Sequence, residues 1–180
     1  VVVVGGGITG ALCAHAIATA GIEVLVLEAG SIATQSTSAS TALLQYELDT
    51  PLHVLAERVG EEVAVRSYRL CSTAIDRIMA LSDELGDCGA QHRQSLQYAS
   101  RRADAEGLRK EHAMRKEHRF ETDLLSAREL KDRFGLRKAA ALVSHKAAEI
   151  YPYRFTHLLF QDVIKRGGRV MDRTRMKEFH

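Results

Sequence analysis

Gly5, Gly7 and Gly10 stand at GxGxxG spacing in the opening run VVVVGGGITG. A turn of this kind suits a pyrophosphate. The first glycine permits the tight turn, the second lets backbone approach the ligand, and the third lets a helix pack closely on a strand. The helix that follows adds unpaired N–H groups and a partial positive charge at its start. Glu28 comes at the interval such a site needs, roughly 20 residues further on. Its carboxylate can accept both hydroxyls of an adenosine ribose. With Ala29 next and no Arg or Lys beside it, the acid repels a 2′-phosphate, which disfavours NADP. The turn alone leaves the choice between a flavin and a nicotinamide dinucleotide open.

That chemistry needs a scaffold, and the flanking residues supply one. Val1 to Val4 is a continuous β-branched run, which predicts a strand buried on both faces. Ala11 to Ala20 predicts a helix closed by Gly21, and Ile22 to Leu27 a second buried strand. Strand, turn, helix and strand in this order make a βαβ unit and call for a parallel sheet. Then the texture changes. Seven hydroxyl residues lie between Ser31 and Ala42, well placed to donate hydrogen bonds to a ligand held by the upstream turn.

Further on, Thr50-Pro51 marks a helix start with Pro at its first position. Glu61 to Gly86 predicts one helix with a single buried stripe that includes Ile75, Ile78 and Leu85. Ser95 to Ser100 predicts a short strand. Residues 101–119 interleave seven basic and four acidic side chains, which predicts a solvated helix face rather than a nucleic-acid patch. Ser126 to Glu129 is a capping box that starts a short helix. Ala139 to Ser144 is apolar. Pro152 opens a helix carrying Phe155, Leu158, Leu159 and Val163 on one side. Arg169 to Asp172 predicts a late strand.

The chain has 180 residues, with 25 Lys and Arg against 23 Asp and Glu. This balance gives no electrostatic case for nucleic acid. No window holds the roughly 20 apolar residues of a membrane span. Cys13, Cys71 and Cys88 are too few and too scattered for a disulfide framework or a CxxC site, and the histidines form no HExxH pattern, so no metal site is expected. His15 and His157 are expected to pack or to sit in solvent, and Arg154 to form a salt bridge at its helix start.

VVVVGGGITG, the EAG after the second strand, and STSASTALLQ from Ser36 to Gln45 resemble the N-terminal half of the D-amino acid oxidase / glycine oxidase family of FAD-dependent oxidoreductases. DLLSARELKDRFGL, AAEIYPYRFTHLL and GGRVMDRT follow in the family's order. The resemblance implies an α/β fold: a Rossmann-like, three-layer FAD-binding βαβ domain with the start of an α+β substrate domain, truncated. Residues 1–88 and 145–180 would form the FAD-binding domain, and 89–144 the first segment of the substrate domain. Gly5, Gly6, Gly7, Ile8, Thr9 and Gly10 would hold the FAD pyrophosphate, with Glu28 and Ala29 at the ribose. Ser36, Thr37, Ser40, Thr41, Ala42 and Leu43 would run along the ribityl chain and flavin edge. Met176 would make a backbone contact to the adenine.

The implied activity is oxidation of a small amine or amino acid by hydride transfer to flavin, in a cytoplasmic enzyme. An N-terminal part of this kind is expected to be inactive alone, with its catalytic residues downstream of residue 180. The Ser/Thr block is also similar to FAD-dependent glycerol-3-phosphate dehydrogenases, which carry Lys at the place of Ala42 and His at that of Gln45. Oxidation of a small alcohol is therefore the alternative, and nucleotide binding without turnover a third. Tyr151 stands where the amine-oxidising family commonly has an acid, and Ala42 where glycine oxidases have glycine.

Overall fold

A computed structural model describes residues 1–178. The elements run β1 (Val2–Val4), α1 (Ile8–Thr19), β2 (Leu25–Leu27), β3 (Leu43–Gln45), α2 (Leu52–Val59), α3 (Glu61–Leu85), β4 (Gln91–Tyr98), α4 (Asp104–Glu117), β5 (Thr122–Ser126), α5 (Ala127–Phe134), β6 (Ala140–Glu149), α6 (Pro152–Lys165) and β7 (Arg169–Met171). They fall into two compact units. One comprises Val1–Leu43, Ala80–Ala90 and the chain from Ile150 onward; the other comprises Leu44–Met79 and Gln91–Glu149. Among the described residues no helix is long and apolar enough to cross a membrane.

The first unit holds a parallel sheet in the order β1-β2-β7, with Val3 opposite Val26 and Val26 opposite Val170. Successive strand residues face opposite sides, so Val3, Val26 and Val170 share one face. Helices α1 and α6 pack against one another. The small buried residues Ala11, Ala14 and Ala18 of α1, with Phe155, Leu159 and Val163 of α6, supply this unit's core. His15 packs here too, its Nε2 3.1 Å from the Asp162 carboxylate. Burial of β1 on both faces, which its valines predict, is not found: Val2 and Val4 are 55% and 56% exposed. They lie on the face turned away from α1, whose Gly10 sits beneath Val3. The second strand is also shorter than its apolar run. Gly21 takes a left-handed φ of 75° and the Ile22 N–H returns to the Ile17 carbonyl, so Ile22 finishes the helix instead of starting the strand.

In the second unit β6 pairs with β3, β4 and β5, the last two antiparallel. Leu108 and Ala105 of α4 cluster with Ala140 and Leu142, while Leu130 of α5 clusters with Ala141 and Val143. The alternation along β6 thus feeds a core on each side. The predicted capping box is present: the Glu129 N–H donates to Ser126 Oγ at 3.3 Å, and the Ser126 N–H to the Glu129 carboxylate at 2.8 Å. Gly135, left-handed at φ 69°, ends the helix.

Helix α4 departs from the solvated face its composition predicts. Glu111 and Arg115, one turn apart, are 1% and 2% exposed. Arg115 Nε donates to Glu111 at 2.6 Å, and its Nη1 to Ser144 Oγ at 3.1 Å and to Glu47 at 3.3 Å. Its guanidinium lies 5.6 Å from the ring centres of Tyr46 and Tyr68. The Glu111 carboxylate also accepts the N–H groups of Leu52 and His53 at 2.9 and 3.0 Å. It thereby caps α2, whose N-cap is Pro51 and not Thr50. This clamp and the pairing of β3 with β6 lie where residues 44–79 group with 91–149 in one compact unit.

Burial alone would raise the Glu111 pKa, but the Arg115 charge, the His53 ring and the two backbone donors outweigh it and hold the carboxyl below its ordinary value of 4.5. A group depressed in this way contributes stability that is complete above the unfolded pKa and is lost as pH falls through the folded one. Stability of the second unit therefore drops as pH falls below 4.5, and Glu111→Ala, which leaves the Arg115 charge buried and without its nearest partner, costs about 3–5 kcal/mol in urea unfolding at pH 7.

Candidate functional site

The site begins where β1 ends. Gly5, at φ 114°, donates its N–H to the Leu27 carbonyl at 2.9 Å and so closes the pairing of β1 with β2. Helix α1 starts three residues later and lies directly on the turn. A Cβ on Gly10 would sit 2.0 Å from the Gly5 carbonyl oxygen, a distance no side chain survives. Gly7 is the N-cap and brings no side chain of its own. Thr37 takes that role from the hydroxyl-rich loop, its Oγ1 accepting the Ile8 N–H at 3.1 Å. Thr37 is buried, and the Ala33 N–H reaches the Gly6 carbonyl, so the loop folds back over the turn.

Glu28 stands at the end of β2. Its two carboxylate oxygens accept the Gly6 N–H at 2.6 Å and the Gly30 N–H at 2.7 Å. These two donors, Gly30 first, hold its pKa below the usual glutamate value, so the group is ionised at neutral pH. An ionised carboxylate offers about four acceptor positions, and two remain for a ligand's hydroxyls. The Glu28 N–H donates to the Met171 carbonyl and the Thr174 N–H to the Glu28 carbonyl. That pair fixes the segment carrying Met176, which is itself exposed.

Direct hydrogen bonds thus join Gly6 to Glu28 and Ile8 to Thr37, while Gly10 meets Gly5 by close contact. Ala29, Ser36, Ser40 and Thr41 lie exposed in the same unit, and Thr9 at the first turn of α1. Three non-glycine residues of the loop, Ala33, Gln35 and Ala42, take left-handed φ values of 59°, 59° and 67°. Ala42 is pinned there by its N–H to Ser40 Oγ and by its carbonyl, which accepts the Ile150 N–H. Leu43 is exposed beside it.

A cavity of about 290 Å³ opens along this loop, between Thr37, Ser38, Ser40 and Ala42 on one side and Tyr151, Pro152 and Tyr153 on the other. The two tyrosines escape the sequence reading as ligand-facing residues. The signal was present: two aromatics flank the proline that starts α6. Arg154 forms the expected salt bridge, at 3.3 Å to Asp87. The His157 ring lies 4.5 Å from that of Tyr153. Among the described residues no group of three or more His, Cys, Asp or Glu is placed to hold a metal ion.

Backbone donors at a helix start, a close approach that admits no Cβ at Gly10 and an ionised carboxylate beside it fit two neighbouring parts of a dinucleotide: the central pyrophosphate at the helix start and a ribose at the carboxylate. The family model described as FAD dependent oxidoreductase matches residues 1–180. A curated relative, the putative Rieske 2Fe-2S iron-sulfur protein YhfW of Bacillus subtilis (strain 168), is 26% identical over 97% of this chain and 34% of its own length. Glycine oxidase from Bacillus cereus ATCC 14579 superposes at TM-score 0.68 with 16% identity, over 96% of this chain and 45% of that one. Dithionite-reduced L-alpha-glycerophosphate oxidase from Mycoplasma pneumoniae, solved with FAD bound, superposes at 0.74 with 14% identity, over 96% and 44%. At such identities the structural likeness speaks to fold. The chain spans about a third of the curated relative and under half of both structures.

The Gly5–Gly10 contact gives a direct test. Gly10→Ala forces α1 off the turn and costs about 1–3 kcal/mol of stability, the usual scale of overpacking. It also abolishes retention of dinucleotide through gel filtration. Gly107→Ala in α4, where an added Cβ meets nothing within 4 Å, stabilises by about 0.5–1 kcal/mol. Thermal unfolding of the two variants checks both signs.

Proposed function

We propose that this chain, which belongs to the FAD dependent oxidoreductase family, is the cofactor-gripping part of an enzyme that oxidises a small amine or amino acid. The observation that carries the grip is the hydrogen-bonded set of Gly6, Glu28, Ile8 and Thr37 around a turn that admits no side chain at Gly10. When bound, FAD supplies the hydride acceptor, and what the protein adds is position and a dry surface.

In this reading the N–H groups of Gly7, Thr9 and Gly10 face the pyrophosphate, the Ile8 N–H being held by Thr37, with Gly5 and Gly6 shaping the approach. Glu28 accepts the ribose hydroxyls and Ala29 leaves them room. Ser36, Thr37, Ser40 and Thr41 donate along the ribityl chain, while Ala42 and Leu43 reach the flavin edge. Met176 offers backbone to the adenine. Tyr151 and Tyr153 wall the loop cavity. Loss of the substrate's C–H hydride to the bound flavin and of an amine proton to water would leave an imine, which water hydrolyses to a carbonyl and an amine.

An amine is favoured over glycerol 3-phosphate because Ala42 and Gln45 replace the Lys and His of the dehydrogenases that act on that alcohol. The fold similarity to glycine oxidase is compatible with this choice, and the similarity to glycerophosphate oxidase keeps an alcohol in the test. Three unpaired thiols suit a reducing, cytoplasmic setting.

Two measurements test the reading. Glu28→Ala removes a charged acceptor, a loss of about 1.5–3 kcal/mol, and so weakens FAD binding roughly ten- to a hundredfold in a flavin-fluorescence titration. The flavin-loaded full-length gene product, mixed without oxygen with D-amino acids, glycine, sarcosine and glycerol 3-phosphate in turn, bleaches with an amine and not with the alcohol. Bleaching by glycerol 3-phosphate alone reverses the substrate class, and bleaching by none leaves a binding module.

A further inference from the structure

The second unit carries a second concave site, with the opposite character to the first. A cavity of about 480 Å³ is lined by Arg101, Arg102, Lys131, Arg137 and Lys138 together with small residues. Arg101 has a carboxylate partner, Asp104, at 3.4 Å. Lys138 places its ammonium 4.7 Å from the Tyr98 ring centre. Among the described residues Arg102, Lys131, Arg137 and Lys138 are paired with no acid. The two acids of α5 are engaged elsewhere: Glu129 in the capping box with Ser126, and Asp132 with Arg128 at 3.8 Å.

Four uncompensated cations around one cavity exceed the net charge of +2 carried by the whole chain, so this concentration is local and not a reflection of composition. Like charges this close repel one another, and a concave low-dielectric wall strengthens their common field toward the opening. Arg forks and Lys ammonium groups match phosphate oxygens, the first bidentately and the second as a point charge. The volume lies within the range of roughly 300–1,000 Å³ usual for small-molecule sites.

We infer that this cavity binds a compact phosphorylated small molecule carrying three or more negative charges. The shape of the cluster selects that class. Its cations come from three separate stretches, the β4–α4 turn, α5 and the α5–β6 loop, and converge on one space. A linear polyanion is better served by a stripe. The one aromatic face nearby, Tyr98, is already covered by Lys138, which leaves no platform for a nucleic-acid base.

The test is calorimetric titration of the purified, FAD-saturated protein with inorganic tripolyphosphate. FAD occupies the glycine turn and removes it as a competing phosphate site. The expected result is saturable binding of one equivalent. The variant Lys131→Glu/Arg137→Glu weakens it at least tenfold, on the scale of roughly 1.5–3 kcal/mol for each charge-assisted hydrogen bond lost. The control Lys110→Glu/Lys165→Glu, of equal charge change on exposed lysines outside the lining, shifts affinity less than about twofold, since neither side chain lines the cavity and salt screens exposed charges. Lys131→Ala/Arg137→Ala serves as second variant if charge reversal perturbs the fold by circular dichroism. Absence of saturable binding overturns the inference, as does an equal loss in both double variants. Tighter, Lys131-dependent binding of a decaglutamate peptide overturns the small-molecule class in favour of an acidic protein partner.

Discussion

The first unit depends on one close approach, that of Gly10 to the carbonyl of Gly5. Because Gly10 carries no side chain and Gly5 can adopt a φ of 114°, the first turn of α1 can rest on the end of β1, and the remaining geometry follows in sequence. Helix α1 then presents the Ile8 N–H where Thr37 can accept it. The Gly5 N–H locks β1 to β2 at Leu27, which brings Glu28 to the Gly6 N–H. Glu28 in turn ties its backbone to Met171 and Thr174 and aligns β7. Each link is an ordinary hydrogen bond of about 0.5–1.5 kcal/mol. What links them is that they gather around a turn with no room for a Cβ at Gly6, beside Glu28, or at Gly10, beside the Gly5 carbonyl.

The second unit is organised by the opposite means. Its centre is a charged pair taken out of water, a costly operation unless every donor and acceptor is used. Arg115 and Glu111 come close to that. Between them they engage Glu47, Ser144, two backbone N–H groups of α2 and the His53 ring, with Tyr46 and Tyr68 against the guanidinium. The pair fixes geometry more than it adds stability: it decides where α2 begins relative to α4. The buried aromatic group of Tyr46, Tyr68 and Phe120, with Tyr46 and Phe120 stacked at 5.4 Å, supplies the apolar surface around it.

Which parts of this were legible in the sequence has a physical explanation. Local signals survived. The GxGxxG turn, the Ser126 capping box, the Glu61–Leu85 helix and the Pro152 helix start are each decided within one or two turns of chain, and each lies where its residues predict. Glu28 was legible because its interval from the turn is set by the length of one helix and one strand. Long-range pairing was not. Nothing local distinguishes Glu111 and Arg115 from the solvated charges around them, since their burial is set by Glu47, Leu52 and Ser144 far away in sequence. The exposed Val2 and Val4 mislead for a related reason: a β-branched run reports strand propensity, while what covers each face is decided elsewhere. Tyr151 and Tyr153 meet the hydroxyl-rich loop only through the fold, and so were read as part of a helix start.

The parallel sheet has a kinetic implication. Its third strand, β7, pairs with β2 across most of the chain; the Glu23–Arg169 contact beside that pairing joins residues 146 apart. During synthesis β1, α1 and β2 leave the ribosome long before β7, which pairs with β2, and the α6 surface that covers α1. The intervening Leu44–Met79 and Gln91–Glu149 stretches contain all the strands of the other sheet but for one end residue of β3, and can close first. Loop closure then costs less, because a folded insert shortens the effective distance that β7 has to search. Until it arrives, the edge of β2 and the alanine face of α1 are open to wrong partners. The glycine turn between β1 and α1 is therefore fully tied down only after β7 has paired with β2.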